Sequence, residues 1–362
     1  MKYALKKTQF KLNCHYILTK LIVFLLFFGS IQAQELHMLE EGRMTSIRGL
    51  SVVDEKIVWA SGSNGMVART FDGGLHFDWI QVPGYEKRDF RDVEAFDAET
   101  AIIMAIDTPA VILKTKDGGK TWSLVLEDKR PGMFLDAMSF HGKSGLVVGD
   151  PIMGRAFLAK TSNAGDSWQV LEGPQLVDGE AFFASSGSNV GFVQTAAASF
   201  NRHDLYEWDA AIVSGGMQSR FFIKNTSFLL PLRSGKNSSG ANGIALGPDG
   251  QSGVIFGGDF ASPKERDSSM LLFSFKEGRL IFNPPVVSPA GYKSHVVFLN
   301  GQELFACGTS GIDLSGDGGN TWRHISDKPF HVMGFAAGDE KVWLAGPGGS
   351  IAIIFKKDGQ LK

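Results

Sequence analysis

One motif of eight residues occurs four times in this chain, at Thr70 to Phe77, Thr115 to Trp122, Thr161 to Trp168 and Ser315 to Trp322. The first three copies start 45 and 46 residues apart, the period of one four-stranded propeller blade. Each copy carries Asp or Asn at its third position, Gly nearby and an aromatic residue at its end: Asp72, Asp117 with Trp122, Asn163 with Trp168, and Asp317 with Trp322. These residues suit one mechanical task. A short acidic or amide side chain accepts hydrogen bonds from its own turn, Gly permits φ > 0, and the aromatic ring packs between sheets. No stretch beyond the N-terminus keeps apolar residues at helical spacing for three turns, so the expected fold is all-β.

Aligning the segments upstream of the motif extends the count to seven units. Their innermost strands are expected to begin at Arg48, Asp92, Asp136, Glu180, Asn242, Ser294 and His331. Units four and five lack the motif and carry insertions around Phe200 to Trp208 and Ser262 to Ser269. The last unit ends at Ile351 to Phe355 with no outer strand, and Glu35 to Leu39 precedes the first unit unpaired. An N-terminal strand is therefore expected to complete the last sheet and close the ring, which removes an exposed edge. The fold predicted is a seven-bladed β-propeller in one domain, residues 34–362.

Residues 1–33 read as a cleavable export signal, with a basic lead (Lys2, Lys6, Lys7, Lys11, Lys20) and an apolar run from Leu21 to Phe28 too short to span a membrane. Removing them takes away five Lys and no acidic residue, leaving 31 basic against 38 acidic side chains, a net charge of −7. A chain of that charge is a poor partner for nucleic acid. Cys14 leaves with the signal and Cys307 stands alone, so no intramolecular disulfide forms. The expected product is a periplasmic or secreted monomer with no membrane span in the mature chain.

Propeller geometry brings the starts of the inner strands and the ends of the second strands to one face. That face is expected to carry Arg48, Asp92, Asp136, Glu180 and His331 from the first set and Asp107, Asp150 and Asp259 from the second, flanked by Arg91, Tyr292 and Lys293. The expectation is an acidic channel mouth that holds a partner or attracts a cation. No Asp-rich loop has calcium-binding spacing, and the chain lacks a dinucleotide fingerprint, a haem-attachment pair and a redox Cys pair, so no metal or cofactor is expected.

The repeated turn resembles the Asp-box of sialidases and related propellers. More specifically, the runs Arg48 to Val53, Asp89 to Asp97, Gly149-Asp150-Pro151, Gly179 to Phe182 and Gly257-Gly258-Asp259 resemble the exported bacterial relatives of the plant photosystem II stability and assembly factor family. That resemblance implies a seven-bladed propeller that binds a protein or peptide client, here in envelope assembly, without catalysis of its own. The alternative is a glycoside hydrolase of the sialidase-like type acting on a glycan, with Glu180 and Tyr292 as a nucleophile pair and Asp92 or Asp136 as acid. The sequence departs from that type: Arg48 and Arg91 alone match its three substrate-clamping arginines, and Val93 follows Phe90-Arg91-Asp92.

Overall fold

Seven antiparallel sheets form the body of the protein, described in a computed structural model at residues 35–193, 210–276, 279–336, 338 and 341–355. The export signal read in residues 1–33 and the insertion at Phe200 to Trp208 lie outside the described residues. In blade 1 the strands run from the channel outward as Ile47–Val52, Val58–Gly62, Met66–Thr70 and Asp78–Gln81. Blades 2 and 3 repeat this order from Phe90–Ala95 and Leu135–His141, and blades 5 and 6 from Ser239–Leu246 and His295–Phe298. Middle strands such as Ala101–Ala105 and Ala110–Thr115 are buried along their whole length, because a blade is covered on both faces. The outer strand Arg279–Asn283 alternates, because one of its faces meets water. No helix among the described residues is long and apolar enough to cross a membrane.

Ring closure is as expected, shifted by one residue. Leu36–Glu40 is the outer strand of blade 7 and pairs antiparallel with Ile351–Phe355, Leu36 opposite Ile354 and Met38 opposite Ala352.

Blade 4 corrects the expectation. Its inner strand is Val190–Phe192, and Glu180–Ala181 pairs instead with Gly215–Gly216, which joins Gly240 and extends the blade 5 sheet to six strands. The physical reason is the absence of side chains on the partner strand. A Cβ at Gly215 would stand 3.0 Å from the Gly240 Cα, and one at Gly216 would stand 2.3 Å from the Gly179 carbonyl oxygen.

The repeated turns share one hydrogen-bond pattern. The Asp317 carboxylate accepts from the Thr321 amide (2.8 Å) and hydroxyl (2.6 Å) and from the Ser315 hydroxyl (2.9 Å). Asp72, Asp117 and Asn163 accept from their own turns in the same way. The ring at the end of the turn enters the seam with the preceding blade. Trp122 packs with Trp59 and Val67 of blade 1, Trp168 with Ile102 and Met104 of blade 2, and Trp322 with Val254 and Phe256 of blade 5. The buried apolar residues form seven clusters, one per seam. Blades 4 and 5 lack the turn. Phe221, Phe228, Phe273 and Phe282 fill the seam between them. Between blades 3 and 4 the described residues leave a groove of about 600 Å³, lined by Leu158, Leu171, Ile212 and Phe222.

Inner strands are also joined by side chains that accept an amide of the next blade: Ser51 from Ala95 (3.0 Å), Asp92 from Met138 (2.8 Å) and His295 from Met333 (2.9 Å).

Trp322→Ala empties a seam and is expected to cost about 3–5 kcal/mol in urea unfolding, as large-to-small changes of a buried aromatic do. Burial pushes the His295 pKa down to about 4 from the ordinary 6.5. Its contribution to stability is therefore complete above pH 6.5 and is lost as pH falls toward 4. Thermal unfolding of wild type and His295→Gln across pH 7 to 4.5 should show the wild type losing about 2 kcal/mol more than the variant.

Candidate functional site

The channel mouth is built by bulges. In four inner strands the ladder skips one residue, between Ile47 and Gly49, Phe90 and Asp92, Leu135 and Ala137, and Ala241 and Gly243. The skipped residues are Arg48, Arg91, Asp136 and Asn242, and a bulge re-aims the side chain it carries. Arg91, rather than Asp92, is thus the structural counterpart of Arg48. Asp92 stays in the ladder and is buried.

A segment of the chain crosses this mouth. From Phe182 to Asn189 it is bonded to six blades. The Phe182 amide donates to Asp150 Oδ1 (3.0 Å) of blade 3, and the Ala184 carbonyl accepts from Arg91 Nη1 (3.3 Å) of blade 2. The Ser185 carbonyl accepts from Arg48 Nη1 (3.2 Å) of blade 1, and Ser186 Oγ donates to the Ser294 carbonyl (2.6 Å) at the start of blade 6. The Ser188 and Asn189 carbonyls accept from Ile244 of blade 5 and Val213 of blade 4. Gly187 has φ +72°, and a Cβ there would lie 2.2 Å from an Asp92 carboxylate oxygen. Only glycine lets the strap pass that close. Sequence reasoning did not find this strap. Its one signal is the turn-forming run Ala184-Ser185-Ser186-Gly187-Ser188-Asn189.

The mouth is consequently not an open acidic funnel, which corrects the expectation from sequence. Asp92, Asp136, Glu180 and Asp259 are all buried. Glu180 is held by Arg220, by the Ser214 hydroxyl and by the Val177 amide (3.0 Å). Asp259 pairs with Lys236 (3.1 Å) and accepts from the Ala261 amide (3.0 Å). Asp150 faces the strap, while Asp107 sits on an exposed turn whose carbonyl accepts from Arg88. Lys293 is not on a rim: it is fully buried, paired with Asp313 and donating to Ser310 Oγ (2.9 Å) and the Gly311 carbonyl (3.0 Å). Burying charged groups without such partners would be costly. The Glu180–Tyr292 nucleophile pair is likewise not formed, since Glu180 is locked to Arg220 and Tyr292 faces Arg48, Ser185 and Asn242.

What the mouth gathers is cationic. Arg48, Arg91, Tyr292 and His331 lie together beneath and beside the strap. Burial and then Arg91 lower the Arg48 pKa. Burial pushes the Tyr292 hydroxyl up to about 12, and burial with the two guanidinium groups pushes His331 down to about 3. Both of these are neutral at pH 7. Neither carboxylate oxygen of Asp136 makes a hydrogen bond of normal length, and burial with the neighbouring Asp150 pushes its pKa well up. Asp89 pairs with Arg91 at 2.8 Å, whereas Arg48 is met by a neutral carbonyl. A half-buried guanidinium of that kind is suited to a carboxylate from outside.

The family model for photosynthesis system II assembly factor YCF48 matches residues 36–136, which span the N-terminal strand, blades 1 and 2 and the start of blade 3. The chloroplast photosystem II stability/assembly factor HCF136 of Oryza sativa subsp. japonica is 32% identical over 114 residues, covering 30% of this chain and 26% of that protein. The match therefore spans about a quarter of the curated relative's length. Among solved structures, YCF48 bound to a D1 peptide is similar with a TM-score of 0.59 and 17% identity over 91% of this chain and 97% of that one. A GH74 xyloglucanase from Xanthomonas campestris is similar with a TM-score of 0.58 and 16% identity over 91% of this chain and 55% of that one. At such identities the structural likeness speaks for the fold. The chain is thus similar to the photosystem II stability/assembly factors in sequence over its first two blades and to YCF48 in fold over nearly its whole length.

Proposed function

We propose that this protein is a non-catalytic propeller that binds a protein or peptide partner on its mouth face, with Arg48 and Arg91 as the charged contact. The observation that carries this reading is the mouth itself: two partly exposed arginines beside a strapped surface, with Asp92 and Asp136 buried. The relative YCF48, of similar fold, has a structure with a bound D1 peptide, which supports a peptide as the kind of ligand. A glycoside hydrolase is the second reading, favoured by the likeness to the xyloglucanase. It requires two carboxylates about 5–10 Å apart across an open pocket, and burial of Asp92, Asp136 and Glu180 weighs against it. Export and a role in envelope assembly belong to the same proposal.

The test is retention of a cross-linked partner from envelope extract by wild type and by Arg48→Gln/Arg91→Gln, with circular dichroism to show that both are folded and a xyloglucan-hydrolysis assay on both. Binding lost at least tenfold in the variant, with no hydrolysis by either, is the expected result. Hydrolysis by the wild type would overturn it. Export is tested separately: N-terminal sequencing of protein recovered outside the cytoplasm should begin near Gln34, and intact Met1 there would refute cleavage.

A further inference from the structure

We propose that the partner segment carries apolar side chains within a few residues of a carboxylate, because an apolar crescent on blades 3 to 5 adjoins the two arginines; this rests on the mouth reading above. The crescent is made by Met153, Val177, Met217 and Phe260. Met153 is 97% exposed, and the other three keep about half their surface in solvent.

Contacts tie each of these residues to the segment that leads into the strap or to the strap itself. The Leu176 amide donates to the Gly154 carbonyl (2.9 Å), which seats the Met153 turn beside Val177. The Met217 amide donates to the Gly179 carbonyl (2.9 Å), and Met217 Cγ leaves no room for a Cβ at Gly179. Phe260 stacks edge-on against Phe183 of the strap (5.9 Å between centroids) and against Tyr292 (6.4 Å). Phe183 is followed directly by Ala184 and Ser185, whose carbonyls hold Arg91 and Arg48. Phe260 thus meets the strap one or two residues before the carbonyls that hold the arginines.

Contiguous exposed apolar groups rimmed by charge mark an interaction surface. Methionine in particular adapts its shape to varied side chains. Charge selects the occupant: Arg48 and Arg91 favour a partner that brings a carboxylate to them. An extended chain, rising about 3.4 Å per residue, can lay apolar side chains on the crescent and place an Asp, a Glu or its own C-terminal carboxylate on Arg48 two to four residues away.

The experiment pans a library of random 12-residue peptides with free C-termini against the whole protein. It then measures the selected peptides on wild type, Met153→Ser/Met217→Ser and Arg48→Gln/Arg91→Gln. Both methionines are exposed, so their replacement leaves folding intact. Enrichment of Leu, Met, Phe or Ile within four residues of a carboxylate is expected, with affinity about tenfold weaker in the methionine variant, roughly 1.4 kcal/mol. Selection without apolar enrichment, or unchanged affinity in the methionine variant while the arginine variant fails to bind, overturns the crescent and leaves the mouth reading standing. Retention of no peptide, or binding indifferent to the arginine change, removes the mouth reading and the crescent with it. Concentration-dependent dimerisation of the wild type that disappears in the methionine variant would assign the crescent to a second copy and also overturn the proposal.

Discussion

The pairing of Leu36–Glu40 with Ile351–Phe355 is the constraint on which the other contacts depend. A blade is a twisted sheet with two apolar faces, and neither can be left in water. Each face finds cover only on a neighbouring blade, so seven sheets need seven seams, and an open chain of blades would offer only six. Placing the outermost strand of blade 7 at the start of the chain makes the seventh seam, where Val332, Trp343 and Ile353 pack with Ile47, Val58 and Ala60 of blade 1. Closure also holds the two chain-distant halves of the mouth in one frame, so that Arg48 and His331 can stand together.

Within that frame two devices shape the face that meets a partner. The bulges at Arg48, Arg91, Asp136 and Asn242 turn side chains out of the ladder without breaking the strand. The strap from Phe182 to Asn189 then spends its carbonyls on arginines and on amides of the surrounding blades, so that polar backbone crosses the mouth with its hydrogen bonds satisfied. The result is a surface rather than a cavity. Broad, rigid surfaces of this kind recognise extended chains better than they enclose small substrates.

The ion pairs follow the same division. Glu180 with Arg220 and Lys293 with Asp313 are withdrawn from solvent and serve the junctions around blades 4, 5 and 6. Arg48 remains the cation met by a neutral acceptor at the mouth, and His331 and Tyr292 beside it are neutral. A chain whose expected mature form carries a net charge of −7 thus presents positive charge at the centre of one face, a local field opposite in sign to the whole.

The repeat was legible in the sequence. Asp72, Asp117, Asn163 and Asp317 each act through hydrogen bonds inside one turn, and their aromatic partners sit a fixed distance along the chain, so the period was legible from spacing and the blade number from the segments aligned to it. The unpaired strand at the N-terminus was legible for the same reason, as a vacancy in a counted pattern. The site was not. Asp92 and Arg91 are adjacent in sequence, and only the bulge decides which of them faces the mouth. Glu180 reads as an inner-strand residue until Arg220, forty positions away, claims its carboxylate. Whether a carboxylate on a strand start faces solvent or a buried cation depends on contacts between distant segments, and a strap joining six blades exists only once those blades have closed into a ring. Local hydrogen bonding is written in neighbouring residues, whereas burial and charge pairing are properties of the assembled ring, and that is why tertiary structure alone decided the sign of the mouth.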